Sequence, residues 1–345
     1  MKRITLTLGS LIVALSMLLS ACGTAATPTT APVATDAPDA PVATDAPAPT
    51  ATTADISGTI TVSGAFALYP LMTVWGDEFK KVHPNVSFDI SGGGAGKGMT
   101  DALSGAVDIG MVSRQVKPEE EAKGAYTIPV VKDAVFGVVN AKNPVLADIL
   151  AKGLSQDVLR KIFVTGEITT WGQAVGKPTV KDAIHVYTRS DAAGAADIWA
   201  QFLGGKAQAD ILKTAVGVNA DPGLLDAVVK DPLGIGYNNL GFAFDLSSGK
   251  VAAGAVVIPI DADKNGKADP VEVIDSLQKA TAAVANNTYP SPPGRVENLV
   301  TKGKPSGLVQ AFIQWILTDG QQFVGQAGYV QLPADQLSAS LAKVK

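Results

Sequence analysis

Short runs of β-branched and other apolar residues alternate with longer amphipathic stretches from residue 59 onwards. The runs at 59–63 and 86–90 have the length and composition of strands. The stretches at 70–81 and 97–103 carry apolar residues at the spacing of one helix face. The pattern predicts further strands at 107–111, 134–139, 184–187, 235–238, 255–260 and 295–301, and further helices at 197–203, 224–229 and 307–325. This alternation is typical of α/β layering.

The first 22 residues have the pattern of an export signal. Lys2 and Arg3 precede an apolar run at 4–18, which is shorter than the roughly 20 residues that a bilayer span needs. The tetrad that ends at Cys22 resembles the processing box of bacterial lipoproteins. The resemblance implies that the signal peptide 1–21 is removed and that Cys22 carries a lipid. An ordinary secretory peptide or a short membrane anchor is the alternative, and all three place the remaining chain outside the cytoplasm.

Residues 22–57 have the composition of a tether. They are mostly Ala, Pro, Thr and Asp, and the sequence Pro-Val-Ala-Thr-Asp-Ala-Pro occurs twice, beginning at Pro32 and at Pro41. Such a segment cannot bury enough apolar surface to offset its ordering entropy, and its prolines favour extended conformers. We therefore expect a lipid-anchored body held at the outer face of the cytoplasmic membrane.

Composition and charge exclude several classes of function. The 345 residues are 46% hydrophobic and 17% charged, which is a globular composition, and the length allows two domains. A net charge of −4 provides no basic field, which argues against nucleic acid as a partner and requires a local site for any anion. The single Cys excludes an internal disulfide, and two unrelated His residues argue against a zinc site or a His-based triad.

Three junctions between a strand and the following helix have glycine-rich sequences suited to an anion. Helix N-termini expose unpaired N–H groups, and glycines let a ligand approach the backbone. A nucleotide-binding P-loop is not matched, because Ser91 and Gly98 stand where that motif needs Gly and Ser or Thr. Tight turns without a ligand are the alternative. The candidate oxyanion contacts are Gly64, Ala65, Phe66 and Ala67 in the first junction, Gly94, Ala95 and Gly96 in the second, and Arg189, Ala193, Gly194 and Ala195 in the third.

Seven motifs in register resemble the phosphate-binding subunits of ABC importers. They are Ser-Gly-Ala-Phe-Ala-Leu-Tyr-Pro at 63–70, the glycine loop at 91–98, Val-Asp-Ile-Gly-Met-Val-Ser-Arg at 107–114, Gly-Glu-Ile-Thr-Thr-Trp at 166–171, Arg-Ser-Asp at 189–191, Gly-Ile-Gly-Tyr at 234–237 and Gly-Tyr-Val-Gln-Leu-Pro at 328–333. The resemblance implies an α/β, type II periplasmic-binding-protein fold with two lobes joined by a two-strand hinge near 134–139 and 298–301. It places 58–135 plus 301–345 in lobe 1 and 136–300 in lobe 2. It also implies a monomeric, non-enzymatic protein that captures phosphate between the lobes and delivers it to an ABC importer permease.

The chain departs from the family pattern at several binding positions. Family members usually have Ser or Thr hydroxyls where this chain has Phe66, Ala95, Ala193 and Ala195, so the expected donors are backbone N–H groups. Arg189 matches the family arginine. Arg114 stands where some members have an Asp that accepts a proton from the ligand, and it is a candidate ligand contact. A surface salt bridge with Glu119 or Glu120 is the alternative for Arg114.

The sequence indicates the identity of the oxyanion less directly than the location of its site. Two arginines without an obvious carboxylate favour a fully ionised anion, because an acid proton on the ligand would face only donors. Asp191, Ser113 or a water are alternative acceptors for that proton, so phosphate is the ligand that we expect. Sulfate, molybdate or tungstate are the alternatives within the class. An exported phosphoester hydrolase is the alternative from another class, although no loop pairs a nucleophile with a base.

A twelve-residue segment matches the pattern of a calcium-binding loop. Oxygen ligands at alternating positions, a Gly at the sixth position and a Glu at the twelfth suit a cation that takes six to eight oxygens. We expect a structural calcium ion here, with a solvated turn or a calcium-dependent interaction module as alternatives. The candidate ligands are Asp261, Asp263, Asn265, the carbonyl of Lys267, Asp269 and Glu272, which is expected on a following helix.

Overall fold

The computed structural model describes residues 56–345. The strands are β1 (Gly58–Gly64), β2 (Val86–Gly92), β3 (Ile109–Val112), β4 (Ala125–Asn140), β5 (His185–Arg189), β6 (Val216–Val218), β7 (Gly234–Asn239), β8 (Ala255–Val257), β9 (Gly294–Lys302) and β10 (Val330–Gln331). The helices are α1 (Tyr69–Val82), α2 (Ala95–Ser104), α3 (Pro118–Glu121), α4 (Leu146–Lys152), α5 (Gln156–Arg160), α6 (Trp171–Val175), α7 (Gly194–Phe202), α8 (Ala220–Lys230), α9 (Leu240–Ala243), α10 (Leu277–Ala285), α11 (Gly307–Ile316) and α12 (Ala334–Val344). The signal peptide, Cys22 and the tether up to residue 55 lie outside the described residues.

The strands pair in one sheet with parallel ends and an antiparallel centre. The order is β2-β1-β3-β9-β4-β7-β5-β6, with β8 and β10 paired to β4 beside this path. β1 is parallel to β2 and β3, and β5 is parallel to β6 and β7. β9 is antiparallel to β3 and β4, and β4 is antiparallel to β7. Each parallel end carries the strand-to-helix junctions that the sequence predicted.

Two hydrophobic clusters lie on the two halves of this sheet. One is built around the buried side chains of Trp75, Phe79 and Phe312, and the other around Trp171 and Trp199. Strand β4 contributes residues to both clusters, which makes it the element that runs from one half to the other. The exact lobe boundaries stay a prediction. Within residues 56–345, no helix has the length and apolar character needed to cross a bilayer.

The central pair of strands is longer than the sequence pattern predicted. β4 pairs with β9 from Ala125 to Ala134, and the register shifts at Pro129. Proline has no N–H to donate and occurs in strands mainly at such irregularities. Pro129, together with the polar Lys132 and Asp133, interrupts the apolar pattern, so only the second half of β4 was predicted from the sequence.

Two predicted elements are wrong in extent. The single helix expected at 307–325 ends at Ile316, and a separate 3₁₀ turn follows at Asp319–Phe323. The break brings the carbonyl of Gly320 to 2.9 Å from the indole Nε1 of Trp75, so a buried donor is satisfied there. The strand expected at 255–260 stops at Val257.

Glycines let α2 pack closely against the ends of β1 and β3. A Cβ on Gly98 would collide with the carbonyl oxygen of Met111 and lie 2.9 Å from the Cα of Gly64. Real Cβ atoms do not approach backbone so closely, and these neighbours cannot rotate away. The position of α2, and therefore of its N-terminus, depends on this contact.

We predict that Gly98→Ala lowers the free energy of unfolding by about 1–3 kcal/mol, because the added methyl overpacks a backbone contact. Gly223→Ala is the matched control, since Gly223 lies in α8 with open space around its Cα. It should be neutral or stabilise the helix by about 0.5–1 kcal/mol. Urea unfolding of the two variants measures both effects, and equal effects would contradict the close packing of α2.

Candidate functional site

Three loops, each leading into a helix, come together in the structure. Loop 1 (64–68) precedes α1, loop 2 (92–96) leads into α2, and loop 3 (189–195) leads into α7. None of the three N-cap residues forms a side-chain capping hydrogen bond. Side chains therefore leave the first N–H groups of these helices uncapped, although in α1 Tyr69 donates to the carbonyl of Phe66 at 3.3 Å and Pro70 has no N–H.

Backbone hydrogen bonds join the loops directly. The N–H of Gly94 in loop 2 donates to the carbonyl of Gly64 in loop 1 at 3.0 Å. The N–H of Gly96 in loop 2 donates to the carbonyl of Ala192 in loop 3, also at 3.0 Å. Loops 1 and 2 belong to one half of the sheet and loop 3 to the other, so the two halves are in contact at this point.

Several of the predicted contacts have a free backbone donor. Within residues 56–345, the N–H groups of Phe66, Ala67, Ala95, Gly194 and Ala195 have no acceptor. Ala95, Gly194 and Ala195 are the first residues of α2 and α7, where the helix dipole also favours negative charge, and Phe66 and Ala67 lie in the turn before α1. The arrangement is suited to a small anion held by main-chain N–H groups.

Other predicted contacts use their N–H groups within the protein. Ala65 donates to the carbonyl of Met111 at 2.9 Å, and Ala193 donates to Oε1 of Gln208 at 3.1 Å. Gly94 and Gly96 are engaged in the bonds between loops. These N–H groups therefore shape the loops, and they are not free donors for an anion.

Arg189 is buried at the start of loop 3 and is held by two carboxylates. Its Nε donates to Asp191 at 2.8 Å and its Nη2 to the same carboxylate at 2.5 Å. Its Nη1 donates to Asp221 at 2.6 Å. Burial alone would lower the pKa of Arg189, but the charges of Asp221 and Asp191 raise it overall. The guanidinium is therefore charged, and two of its five N–H bonds remain for a ligand.

The ring of Phe66 covers Arg189. The guanidinium carbon lies 5.4 Å from the ring centroid, within the range of a cation–π interaction. A Cβ on Gly92 would collide with the same ring, so the glycine at the end of β2 lets the ring take this position. Phe66 thus joins loops 1 and 3 through its side chain, in addition to its free N–H.

Arg114 forms the salt bridge that the sequence analysis gave as the alternative. Its Nη1 and Nη2 donate to the two carboxylate oxygens of Glu120 at 2.8 and 2.7 Å, and its Nε lies 3.6 Å from Asp197. Burial would raise the pKa of Glu120, but the hydrogen bond from Arg114 lowers it overall. A bidentate pair of this kind leaves the guanidinium committed to Glu120. A ligand contact by Arg114 stays a prediction that this geometry does not favour.

Two further residues at the site were not among the predicted contacts. Ser113 lies against the first residue of α7, because a Cβ on Gly194 would collide with its Oγ. Asp221 lies beneath Arg189 and is 1% exposed. Ser113 was predicted only as an alternative proton acceptor. Asp221 opens α8, where an acidic residue is ordinary, so nothing in the sequence marked it.

The predicted calcium loop brings three carboxylates together. Oxygens of Asp261, Asp263 and Glu272 lie within 4.8 Å of one another. Both oxygens of Asp261 accept backbone N–H groups, from Asn265 at 3.0 Å and from Gly266 at 3.1 Å. The loop is therefore folded around its first acidic residue.

The rest of the calcium loop differs in part from the expectation. Glu272 lies in a turn, and the next helix begins only at Leu277, so the prediction that Glu272 is on a helix is wrong. Asn265 directs its Nδ2 to Asp269 at 2.8 Å, and its Oδ1 accepts from the N–H of Lys267 at 2.8 Å. The amide oxygen of Asn265 is thus engaged within the loop.

Comparisons with known proteins agree with this architecture. The chain is 29% identical over 321 residues to a phosphate-binding protein PstS of Methanocaldococcus jannaschii, covering 78% of this chain and 81% of that protein. It is 27% identical to the phosphate-binding protein PstS of Bacillus subtilis, covering 76% of this chain and 77% of that protein. These relatives are binding proteins and not enzymes, as the sequence resemblance implied.

Solved structures confirm the fold class. A putative phosphate ABC transporter substrate-binding protein from Clostridium perfringens, with bound phosphate, has a TM-score of 0.65 at 22% identity and covers 80% of this chain and 100% of its own. An ABC-type phosphate transport receptor from Vibrio cholerae has a TM-score of 0.59 at 22% identity and covers 79% of this chain and 100% of its own. The predicted type II periplasmic-binding-protein fold is therefore confirmed. The family model for the PBP superfamily domain matches residues 49–320, and the chain accordingly belongs to the PBP superfamily.

Proposed function

We propose that this protein captures phosphate at the three converging loops and delivers it to an ABC importer permease. The observation that carries the proposal is the set of unpaired backbone N–H groups in the turn before α1 and at the starts of α2 and α7, next to the buried guanidinium of Arg189. The similarity to proteins named as phosphate-binding supports the same ligand.

The carboxylates of the site favour phosphate over sulfate. Oδ2 of Asp191 lies 2.9 Å from the position that a Cβ on Gly94 would take, so this carboxylate reaches the junction of loops 2 and 3. Oδ2 of Asp191 has a second lone pair besides the one that accepts the hydrogen bond from Arg189. Phosphate at neutral pH carries an acid proton that this oxygen can accept, whereas sulfate has none. The prediction of a fully ionised anion assumed two free arginines. We propose instead an anion that carries an acid proton, with Asp191 as the acceptor.

Delivery to a permease and a lipid anchor complete the proposal. The tetrad ending at Cys22 and the tether after it support attachment to the outer face of the cytoplasmic membrane. The structural relative named as an ABC-type phosphate transport receptor supports a permease as the partner. A body held on a tether can meet a permease in the same membrane by lateral movement.

Arg189→Ala should weaken phosphate binding at least tenfold, because a charge-assisted hydrogen bond to a buried anion contributes about 1.5–3 kcal/mol. Calorimetric titration with phosphate, sulfate, molybdate and tungstate measures the affinities. Arg189→Lys keeps the charge but loses the planar fork, and serves if the Ala variant does not fold. Wild-type protein that binds molybdate or sulfate but not phosphate would contradict the proposed ligand.

Variants of two other arginines distinguish a loss of affinity at the site from a general effect of removing a positive charge. Arg160→Ala is the matched control, because Arg160 lies in α5 and belongs to none of the three loops. Its affinity for phosphate should match the wild type. Arg114→Ala should lower the melting temperature through loss of its bridge to Glu120. A tenfold loss of affinity in Arg114→Ala would instead assign Arg114 to the ligand.

We also propose that the loop at 261–272 binds calcium as a structural ion. The proximity of the Asp261, Asp263 and Glu272 oxygens and the match to the twelve-residue pattern support this. Hard cations are bound by such oxygen sets, and extracellular sites of this kind have affinities of about 0.1–1 mM.

Calcium at ten times its dissociation constant should stabilise the protein by about 1.4 kcal/mol, because it binds only the folded loop. A chelator should reverse the resulting rise in melting temperature, and Glu272→Gln should abolish it. Glu167→Gln, an exposed control outside the loop, should respond to calcium as the wild type does. Phosphate affinity should change by less than about threefold, since independent sites act additively. Melting curves that ignore calcium in the wild type would show a solvated turn.

A further inference from the structure

A cluster of charged side chains is buried in the central strand pair. Asp133 of β4 and Arg295 of β9 face each other in the register, and Glu297 lies two residues further along β9. Asp133 and Glu297 are both 0% exposed, and Arg295 is 7% exposed. One guanidinium therefore faces two carboxylates that water does not reach.

The hydrogen bonds of this cluster leave one oxygen of each carboxylate without a donor. Arg295 donates from Nε to Glu297 at 2.9 Å and from Nη2 to Asp133 at 3.1 Å. The remaining oxygens, Oδ1 of Asp133 and Oε2 of Glu297, are buried and unpaired. Both carboxyls accept from the same guanidinium, which places them next to each other. One proton placed between them would satisfy the pair, as in other carboxylate pairs that share a proton.

The cluster is connected to the oxyanion site by buried hydrogen bonds. Nη2 of Arg295 also donates to Oδ1 of Asn239. The Nδ2 of Asn239 donates to Asp221 at 2.7 Å, and the other oxygen of Asp221 accepts from Arg189 at 2.6 Å. The same carboxylate thus contacts the arginine of loop 3 and the amide that contacts the strand pair.

The charged side chains along this path carry an excess of negative charge, which one proton would reduce. Arg189 and Arg295 face four carboxylates, which would leave two excess negative charges. Burial and the neighbouring Asp133, acting against the attraction of Arg295, raise the pKa of Glu297 to about 8. Burial also raises the pKa of Asp133, with a contribution from Asp221. The fold therefore favours a proton on this pair.

The other groups packed around the pair add no compensating positive charge. Tyr329 is neutral, because burial and the carboxylates raise its pKa, and its hydroxyl donates to the carbonyl of Ala67. Helix α2 packs on β9, but its Lys97 is paired with its own Asp101. Lys132, next to Asp133 in β4, directs its ammonium to the carbonyl of Val284 at 3.0 Å.

We propose that the Asp133–Glu297 pair is a proton-binding site, and that capture of an oxyanion beside Arg189 is linked to the filling of this site. The link rests on the proposed oxyanion function. A bound anion adds negative charge to a path that already carries excess negative charge. The Asp133–Glu297 pair then binds a proton from solvent more tightly. Coupled sites in one protein typically change each other's equilibrium constants by roughly 5- to 150-fold, and we expect a change of about tenfold here. By reciprocity, the proton strengthens anion binding by the same factor.

The test measures protons taken up as inorganic phosphate binds. Titration calorimetry at pH 8.5 in two buffers of different ionisation enthalpy gives the uptake for wild type and for Glu297→Gln. The ionisation of phosphate itself contributes equally to both proteins and cancels in the difference. If phosphate moves the pKa of the pair by one unit, the wild type takes up about half a proton more. Between pH 7 and 9, the phosphate affinity of the wild type should also fall more steeply than that of Glu297→Gln. The extra loss of affinity in the wild type should reach roughly tenfold.

Equal uptake by two proteins that both bind phosphate would overturn the link. Asp133→Asn removes the other carboxylate and gives the same readout if Glu297→Gln does not fold, and Glu167→Gln should behave as the wild type. No binding of phosphate by the wild type would overturn the oxyanion function and the link with it. Melting temperatures measured without phosphate then test the proton site by itself. Because the pKa of Glu297 in the fold lies above its ordinary value of 4.5, wild-type stability should fall as the pH rises from 5 to 8, and Glu297→Gln should flatten this fall.

Discussion

The antiparallel pairing of β4 with β9 is the constraint on which the rest of the molecule depends. β4 contributes residues to both hydrophobic clusters, and β9 lies between it and the parallel strands that carry loops 1 and 2. Loop 3 follows β5, on the other side of β4. The relative position of the three loops is therefore set by this ladder together with the two hydrogen bonds that join the loops directly, and a change in the twist of the ladder would move loop 3 against the other two.

The parallel parts of the fold could be predicted from sequence because their strands are short apolar runs followed at once by an amphipathic helix. β1, α1 and β2 were found almost to the residue for this reason. The centre of the sheet could not be predicted in the same way. β4 contains Pro129 and the charged Asp133, whose burial depends on Arg295 in a strand more than 150 residues away. Short helices such as α3 to α6 also lack enough turns to show a period.

The site was predictable where it depends on local backbone geometry, and less so where it depends on partners. Glycines and helix starts identified the loops, because these features are local. Which N–H groups are free could not be read from sequence, because Ala65 and Gly96 find acceptors in distant segments. The same applies to the arginines. Arg114 and Arg189 look alike in sequence, yet one is bound to Glu120 in its own segment and the other lies under the ring of Phe66.

Recognition through main-chain donors has a consequence for how such a site changes during evolution. A hydroxyl donor is lost by a single substitution, whereas the N–H groups of Ala95 and Ala195 persist whatever non-proline side chain replaces the methyl. Both alanines are 1% exposed, so packing constrains the size of the side chain at these positions although the donor itself is not at risk. Selection for the proposed site would therefore act on the packing that holds the helix starts in place, including Gly98 beneath α2 and Gly194 against Ser113.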